Sequence, residues 1–573
     1  MPSVLSRSLL FAALGGTALV LATCATPGPT PSAAVPPTAA ADTTQAVAPP
    51  PSPPTPAPPP IPREFRGVWI TPVEGGEWPS RRDLSSDQQR TELVALLDRV
   101  RDLNLNAVIF HVRTGADALY PSARGVPWSA YLTGHLGQEP SPPYDPLAFA
   151  IEQAHARGLQ FHAWFNPFRV SSAADARHTP GDIATEHPKW IVRYGDQLWI
   201  DPGIPEARQT VLNDILEVVD RYDIDAVHLD DYFYPYLEVR TIHSRVRVRV
   251  RRHHYHYHRV TKHVTLAFAD NASWKKYGAT SGWEDRASWR RDNIDSFIRD
   301  LYRTVKAHKP WVQVGISPFG IWRPDYPDGI TGLDAYAEIF ADSRRWLREG
   351  WLDYLAPQLY WPLDNDQQRF TRLAGWWQSQ NRMERNLWPG LFTDRAASGY
   401  SRWPSAEIPA EIDTLRARQG AAGESLGHVH FRLKSLLAFA RGDVGELLRH
   451  GVYREPAVPP ASPWLGATPP ARPQIAESSS LLVRAIDAIL PGKQAPTIDI
   501  APGDTVPVRW WVVQLQGADG RWTTTIRPGT DRRIPLALPN GSEPRAAAIS
   551  GLSNTGVAGP RAVVQPEQGG TSP

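Results

Sequence analysis

Residues 228–236 read HLDDYFYPY: two aspartates stand back to back after a short apolar run, and four aromatic rings and a proline follow within five residues. A solvated turn is built from Asp or Asn with Gly. It has no use for Tyr232, Phe233, Tyr234 and Tyr236. Carboxylates that end a strand and are then walled by rings suit acid–base chemistry on something flat and polyhydroxylated, because sugar rings stack their C–H faces on aromatics while polar side chains take the hydroxyls.

The elements that must position these residues are regular. Eight short apolar runs cover 65–71, 106–113, 159–169, 225–231, 312–320, 352–361, 386–393 and 427–433, and amphipathic helical stretches (91–104, 145–158, 207–222, 292–308) separate most of them. Asp145-Pro146 and Pro205-Glu206 are helix starts and Gly158 is a helix stop. Eight such units predict a (β/α)8 TIM barrel with enlarged loops, its active site at the C-terminal strand ends.

Strand side chains alternate between the helix layer and the barrel axis. With Val227 and Leu229 toward the helices, His228 and Asp230 face inward. The same split sends His111, Arg113, His162, Trp164, Asn166, Ser317, Gln358, Tyr360, His430 and Arg432 inward, and Ile109, Val429 and Phe431 outward. A purely structural barrel would fill its axis with Val, Ile and Leu, so convergent polar groups favour catalysis over an inert scaffold. The bland reading of Asp230 is an ion-pair partner for Arg113 or His228. Its side chain, unlike that of Asp231, is the carboxylate the alternation turns inward; Asp231 starts the loop and joins it only if the strand bulges. Glycoside hydrolysis needs two carboxyl groups, and Glu74, Glu77, Asp117, Asp201, Asp270, Asp325 and Asp364 stay open as the second. Asp230 and Asp231 are thus the catalytic candidates. Arg113, Asn166, His228, Tyr234, Ser317, Gln358, Tyr360 and Trp361 are the substrate-binding ones, with Arg113 suited to a sugar carboxylate such as the lactyl group of muramic acid. No cofactor or metal is required. No GxSxG elbow, GxGxxG fingerprint or HExxH occurs in the context those chemistries need.

The flanks speak of export. An apolar run from Leu9 to Ala22 follows Arg7 and ends in LATC, with Cys24 the chain's single cysteine. This predicts a lipoprotein signal peptide over 1–24 with Cys24 lipidated, although Thr23 departs from the small residue usual before that cysteine. The mature chain would then be exported without an internal disulfide and held by its lipid; in a Gram-negative envelope the lack of Asp at 25 points to the outer membrane, facing the periplasm. A Pro/Ala/Thr-rich tether (25–62), a barrel (63–450), a Pro-rich linker (451–475) and a fibronectin type III-like β-sandwich (476–573) complete the expected organisation. The net charge of +2 gives no electrostatic reason to expect a nucleic-acid partner.

The pieces REFRGVWIT, FHVRTGADALYPS, YDPLAFAIEQAHARGLQFHAWFNPFRV, DAVHLDDYFYPY, GISPFGIWR, LDYLAPQLYW and GHVHFRLKSLL together resemble the glycosyl hydrolase-like 10 (DUF187-type) family over nearly all of 63–440. The resemblance implies a barrel hydrolase of the bacterial envelope, often a lipoprotein, acting on peptidoglycan glycan strands stripped of their peptides. Two alternatives stand beside it: a metal-dependent polysaccharide deacetylase, and a non-catalytic glycan-binding lipoprotein. One segment departs from the family. Residues 237–266 carry seven Arg, one Lys, six His and a single acid, Glu238, in alternation with Val and Tyr. A metal site on the histidines, a basic strand pair gripping anionic wall polymer, and a low-complexity tract that packs poorly are the three readings of it, the last favoured.

Overall fold

The computed structural model describes residues 57–73, 75–171, 179–251, 254–397, 403–422, 426–437, 443–475 and 497–564. The signal sequence, Cys24, nearly all of the tether and Glu74 lie outside these residues.

Six strands, Phe65–Ile70, Ala107–Arg113, Gln160–Phe165, Ala226–Leu229, Gln313–Ile316 and Tyr354–Leu355, pair side by side in chain order, all parallel. The seventh strand is split into Asn386–Leu387 and Gly390–Leu391 around Trp388-Pro389, where the proline has no N–H to give the ladder. Its first piece pairs with the sixth strand and its second with the eighth, Gly427–His430, which pairs back onto the first. The ring therefore closes as a (β/α)8 barrel, one strand for each apolar run.

The helices sit where the periodicity puts them, and three of the four, Ser86–Asp102, Pro205–Arg221 and Arg286–His308, begin earlier. Helix Ser86–Asp102 starts five residues ahead of its apolar pattern because Ser85 and Gln88 form a reciprocal capping box. Asp145 caps Pro146–His155, accepting from the Leu147 and Ala148 amides at 3.0 Å each.

Inside the barrel the lower layer is largely aromatic. Phe65 stacks on Trp388 at 3.8 Å, and Tyr354 crosses the axis beside them. Its ring lies so close to the fifth strand that a Cβ on Gly315 would meet Cζ at 1.8 Å. The alternation fails on the eighth strand. Val429 and Phe431 pack inward with Trp69, while His428 and His430 turn out to the Tyr453 hydroxyl, His430 at 2.7 Å and also bonded to Thr393. Two imidazoles find partners on the helix side that the apolar axis lacks there. Ile109 also points inward, sharing the parity of His111.

The 237–266 segment forms its own antiparallel ribbon, Val239–Arg251 with His254–Thr265, unjoined to any other sheet. Val239, Ile242 and Tyr257 are 58, 47 and 66% exposed, and Arg245 stands directly opposite Arg259. The tract is thus paired in register, yet its described side chains bury little.

The C-terminal region is all-β. Gln474–Ile475, Thr497–Ala501 and Arg533–Pro535 form one sheet; Trp522–Pro528, Trp510–Gln516, Ala546–Leu552 and Ala562–Val564 form the other. The region is thus all-β, in two sheets of three and four strands, as expected. Its first strand falls within the stretch read from composition as linker. The sandwich packs on the N-terminal rim of the barrel: Trp510, Val512 and Leu552 meet Val458, and Arg509 bonds Asp225 and Asp223, both at 2.7 Å.

Candidate active site

The fourth strand delivers the chemistry. Ala226 and His228 point to the axis, Val227 and Leu229 to the helices, and the chain then turns so that Asp230 and Asp231 are both buried, 4% exposed each. Asp230 Oδ2 accepts from Trp164 Nε1 (3.2 Å) and Oδ1 from the Tyr232 amide (3.2 Å). Asp231 accepts from the Tyr236 hydroxyl and from Gln358, whose amide also donates to the Ser317 carbonyl at 3.1 Å. The expectation that Asp231 turns away is corrected: the chain leaves the strand at Asp230, and the loop aromatic Tyr236 draws the second carboxylate into the site.

Two adjacent carboxylates in a dry site cannot both ionise cheaply. Burial, then the charge of Asp231, raises Asp230 to about 7, against the opposing pull of Arg169. Burial also raises Asp231, while Tyr236 and Gln358 favour its ionised form. Near neutrality the pair therefore holds one proton, with Asp231 better furnished for the negative charge.

His111 stacks on Trp164 at 3.8 Å and 8°, and its Nδ1 bonds Thr71 Oγ1 at 2.9 Å. Burial, helped by Arg169, keeps it neutral. His111 Nε2, Asn166 Oδ1 and Ser317 Oγ are buried without a protein partner. Unpaired buried polar atoms cost free energy, and three of them on inward positions of the second, third and fifth strands are what hydroxyl recognition requires. Tyr360 packs on Phe392 and Phe431 (4.8 and 5.6 Å), and Trp361 stands edge-on to Phe319 at 5.8 Å, extending an aromatic wall.

Three expected binding residues stand elsewhere. The second strand bulges between His111 and Arg113, which reverses the alternation. Arg113 consequently points to the helix layer, where Nη1 meets Asp214 Oδ2 at 2.7 Å. His228 belongs to the lower layer. An indole N–H can only donate, so Trp69 Nε1 donates to His228 Nε2 (3.2 Å). His228 Nδ1–H then donates to the Tyr354 hydroxyl (2.8 Å), and that hydroxyl donates to His162 Nδ1 (2.9 Å). No atom of His228 is left for a ligand; burial holds it well below the usual imidazole range, and His162 at about 4. Tyr234 is 1% exposed and packs against Phe268 and Phe340, lining a separate cavity of about 210 Å³.

The other candidate carboxylates are engaged. Glu77 accepts from the Thr71 and Lys434 amides (3.0 Å each), Asp117 from Thr114 and Gly115, Asp201 from Gly203 and Ser273. Asp270 is paired with Arg286 and Arg290, and Asp325 and Asp364 are exposed. Asp231 is the carboxylate placed beside Asp230. Among the described residues no three His, Cys, Asp or Glu side chains converge as metal ligands.

Sequence reasoning missed Arg169. Its guanidinium lies 3.9 Å over the Tyr232 ring and 5.6 Å from Trp199, and its charge acts on Asp230, Asp231 and His111. The signal was present: PFR follows directly on Asn166, so a cation three residues past an inward strand end hangs over the mouth.

The chain is 40% identical over 426 residues to glycosyl hydrolase YngK of Bacillus subtilis (strain 168), an alignment covering 72% of this chain and 76% of that protein. It is 35% identical over 333 residues to glycosyl hydrolase DigH of Escherichia coli (strain K12), covering 54% and 69%. The glycoside hydrolase domain of PgaB (BpsB) from Bordetella bronchiseptica overlaps it at a TM-score of 0.41 with 12% identity, over 68% of this chain and 98% of that one, which is too loose to weigh. The model of the glycosyl hydrolase-like 10 family matches residues 64–398. With its barrel closed and its paired aspartates at the fourth strand end, the chain belongs to the glycosyl hydrolase-like 10 family.

Proposed function

We propose that this glycoside hydrolase cleaves glycosidic bonds in the glycan strands of peptidoglycan after their peptides have been removed. The observation that carries the reading is the buried Asp230–Asp231 pair, holding one proton near neutrality under a ring of unpartnered polar atoms. Asp230, raised to about 7, is the proton donor to the leaving oxygen and the base that later takes a proton back. Asp231 carries the negative charge, fixed by Tyr236 and Gln358, and faces the positive charge that develops on the sugar. Asn166 and Ser317 take hydroxyl or N-acetyl groups, and Tyr360 and Trp361 carry ring faces. The substrate class rests on the family resemblance. The envelope location, a lipid on Cys24 and outer-membrane anchoring rest on the first 24 residues of the sequence.

The test is digestion of peptide-free glycan strands by the full chain in detergent, beside Asp230→Asn, with products weighed by mass spectrometry. Shortened strands from the parent and intact ones from the variant support the reading. Strands that bind but stay intact with both proteins would replace it with glycan binding without turnover. Incorporation of labelled palmitate that disappears in Cys24→Ala tests the anchor.

A further inference from the structure

The arginines around the barrel are mostly spoken for. Arg113 meets Asp214 at 2.7 Å, Arg290 meets Asp270 at 2.7 Å and Arg432 meets Glu77 at 3.4 Å. Arg169 differs. Its Nε is buried without a partner, as are those of Arg369, Arg385 and Arg432, but its charge acts on both site aspartates and, among the described residues, no carboxylate oxygen lies within ion-pair distance of it. It is held by rings instead: Tyr232 at 3.9 Å and Trp199 at 5.6 Å from Cζ. One of its donors serves the Tyr232 hydroxyl, and the in-plane N–H donors that remain on a stacked guanidinium form a fork that matches a carboxylate. The position is also fixed. Arg169 begins the short strand Arg169–Ser171, which pairs with Gln197–Ile200, and Tyr232 follows Asp231 directly.

We propose that Arg169 is the specificity residue of this site and binds a carboxylate carried by the substrate sugar, through an ion pair made beside the catalytic aspartates. This rests on the hydrolase reading above and adds to it the group by which the glycan is chosen. The partner is an unblocked sugar carboxylate, either the lactyl acid of a muramic residue that has lost its peptide or the acid of a uronate. A strand still carrying peptide has that acid tied up as an amide, and the guanidinium then faces a neutral group at the cost of its own desolvation. The carboxylate reader expected from sequence at Arg113 is accordingly moved to Arg169.

The experiment compares three polymers with the full chain: peptide-free glycan strands, the same strands with their lactyl acids converted to primary amides, and a uronate-containing polysaccharide. The parent is expected to prefer free over amidated strands in kcat/KM by roughly ten- to a hundredfold, the range of a desolvated charged hydrogen bond. In Arg169→Gln that ratio collapses toward one, with the loss on free strands falling mainly in KM; Arg169→Lys keeps part of it. Cleavage of the uronate polymer in place of muramic strands assigns the acid to that source. The inference is overturned if Arg169→Gln slows free and amidated strands by the same factor, since the guanidinium then serves the aspartates and not the substrate. A parent that cleaves none of the polymers removes the hydrolase reading itself, and this one with it. Cleavage of amidated strands by the variant shows that the site is still assembled.

Discussion

At the scale of single residues, the site is governed by one shared proton. Asp230 titrates near 7 in the folded chain and near 4 when unfolded. Its ionisation therefore costs the native state little at pH 4, increasingly more between 4 and 7, and a constant full amount above 7. Asp230→Asn removes that cost. Thermal melts should show the variant raised by roughly 2 °C or more at pH 8 and unchanged at pH 4, while glycan cleavage falls by roughly 10²–10⁴ at the optimum. In the parent, kcat/KM should decline above 7 as Asp230 loses its proton, and fall again in acid as the raised Asp231 carboxyl takes one up. A melting profile that is flat across this range would mean that the pair is not buried together.

At the scale of elements, the barrel was legible from sequence because eight apolar runs and their amphipathic partners repeat one pattern. The inward face of the fourth strand, His228 and Asp230, followed from parity alone. What parity could not see was local. One bulge at His111/Arg113 sent Arg113 to Asp214, and the Tyr453 and Thr393 hydroxyls pulled His428 and His430 outward. Asp231 entered the site through a turn, and Arg169 through the short strand Arg169–Ser171 beyond the barrel, which lies outside the repeat. Close approaches are equally silent: Gly315 reads as an ordinary glycine until Tyr354 is seen against it. Gly315→Ala should cost at least about 3 kcal/mol by denaturant unfolding, as overpacking with no room to relax. The Val239–Thr265 ribbon predicts the opposite. Its ends are register partners, most of its described side chains are exposed, and two arginines oppose each other across it. Replacing residues 241–263 by Asn-Gly should leave the melting temperature within about 1 °C. A larger drop would show that the ribbon braces the barrel.

At the scale of the whole molecule, the sandwich is a base plate for the barrel. Arg509, with 12% of its side chain exposed, is bonded to Asp225, Asp223 and His155 at the N-terminal rim. Arg509, with His155 and the Phe161 amide, holds the buried Asp225 carboxyl well below the usual range. A depressed carboxylate contributes stability above its unfolded pKa and loses it as the pH falls. Arg509→Ala should thus destabilise the chain by about 2–4 kcal/mol at pH 7, and by less below pH 4, where calorimetry should find parent and variant converging.

The sandwich also grips the chain ahead of the first strand: Arg561 donates to the Pro58 and Pro59 carbonyls, and Gln514 to Pro59. Arg63 and Glu64 are then bonded to Pro459 and Val458. A pull applied from the N-terminal side is therefore shared between the sandwich and the rim before it reaches the first strand. The aspartates, at the opposite end of the barrel, stay out of the path of that load.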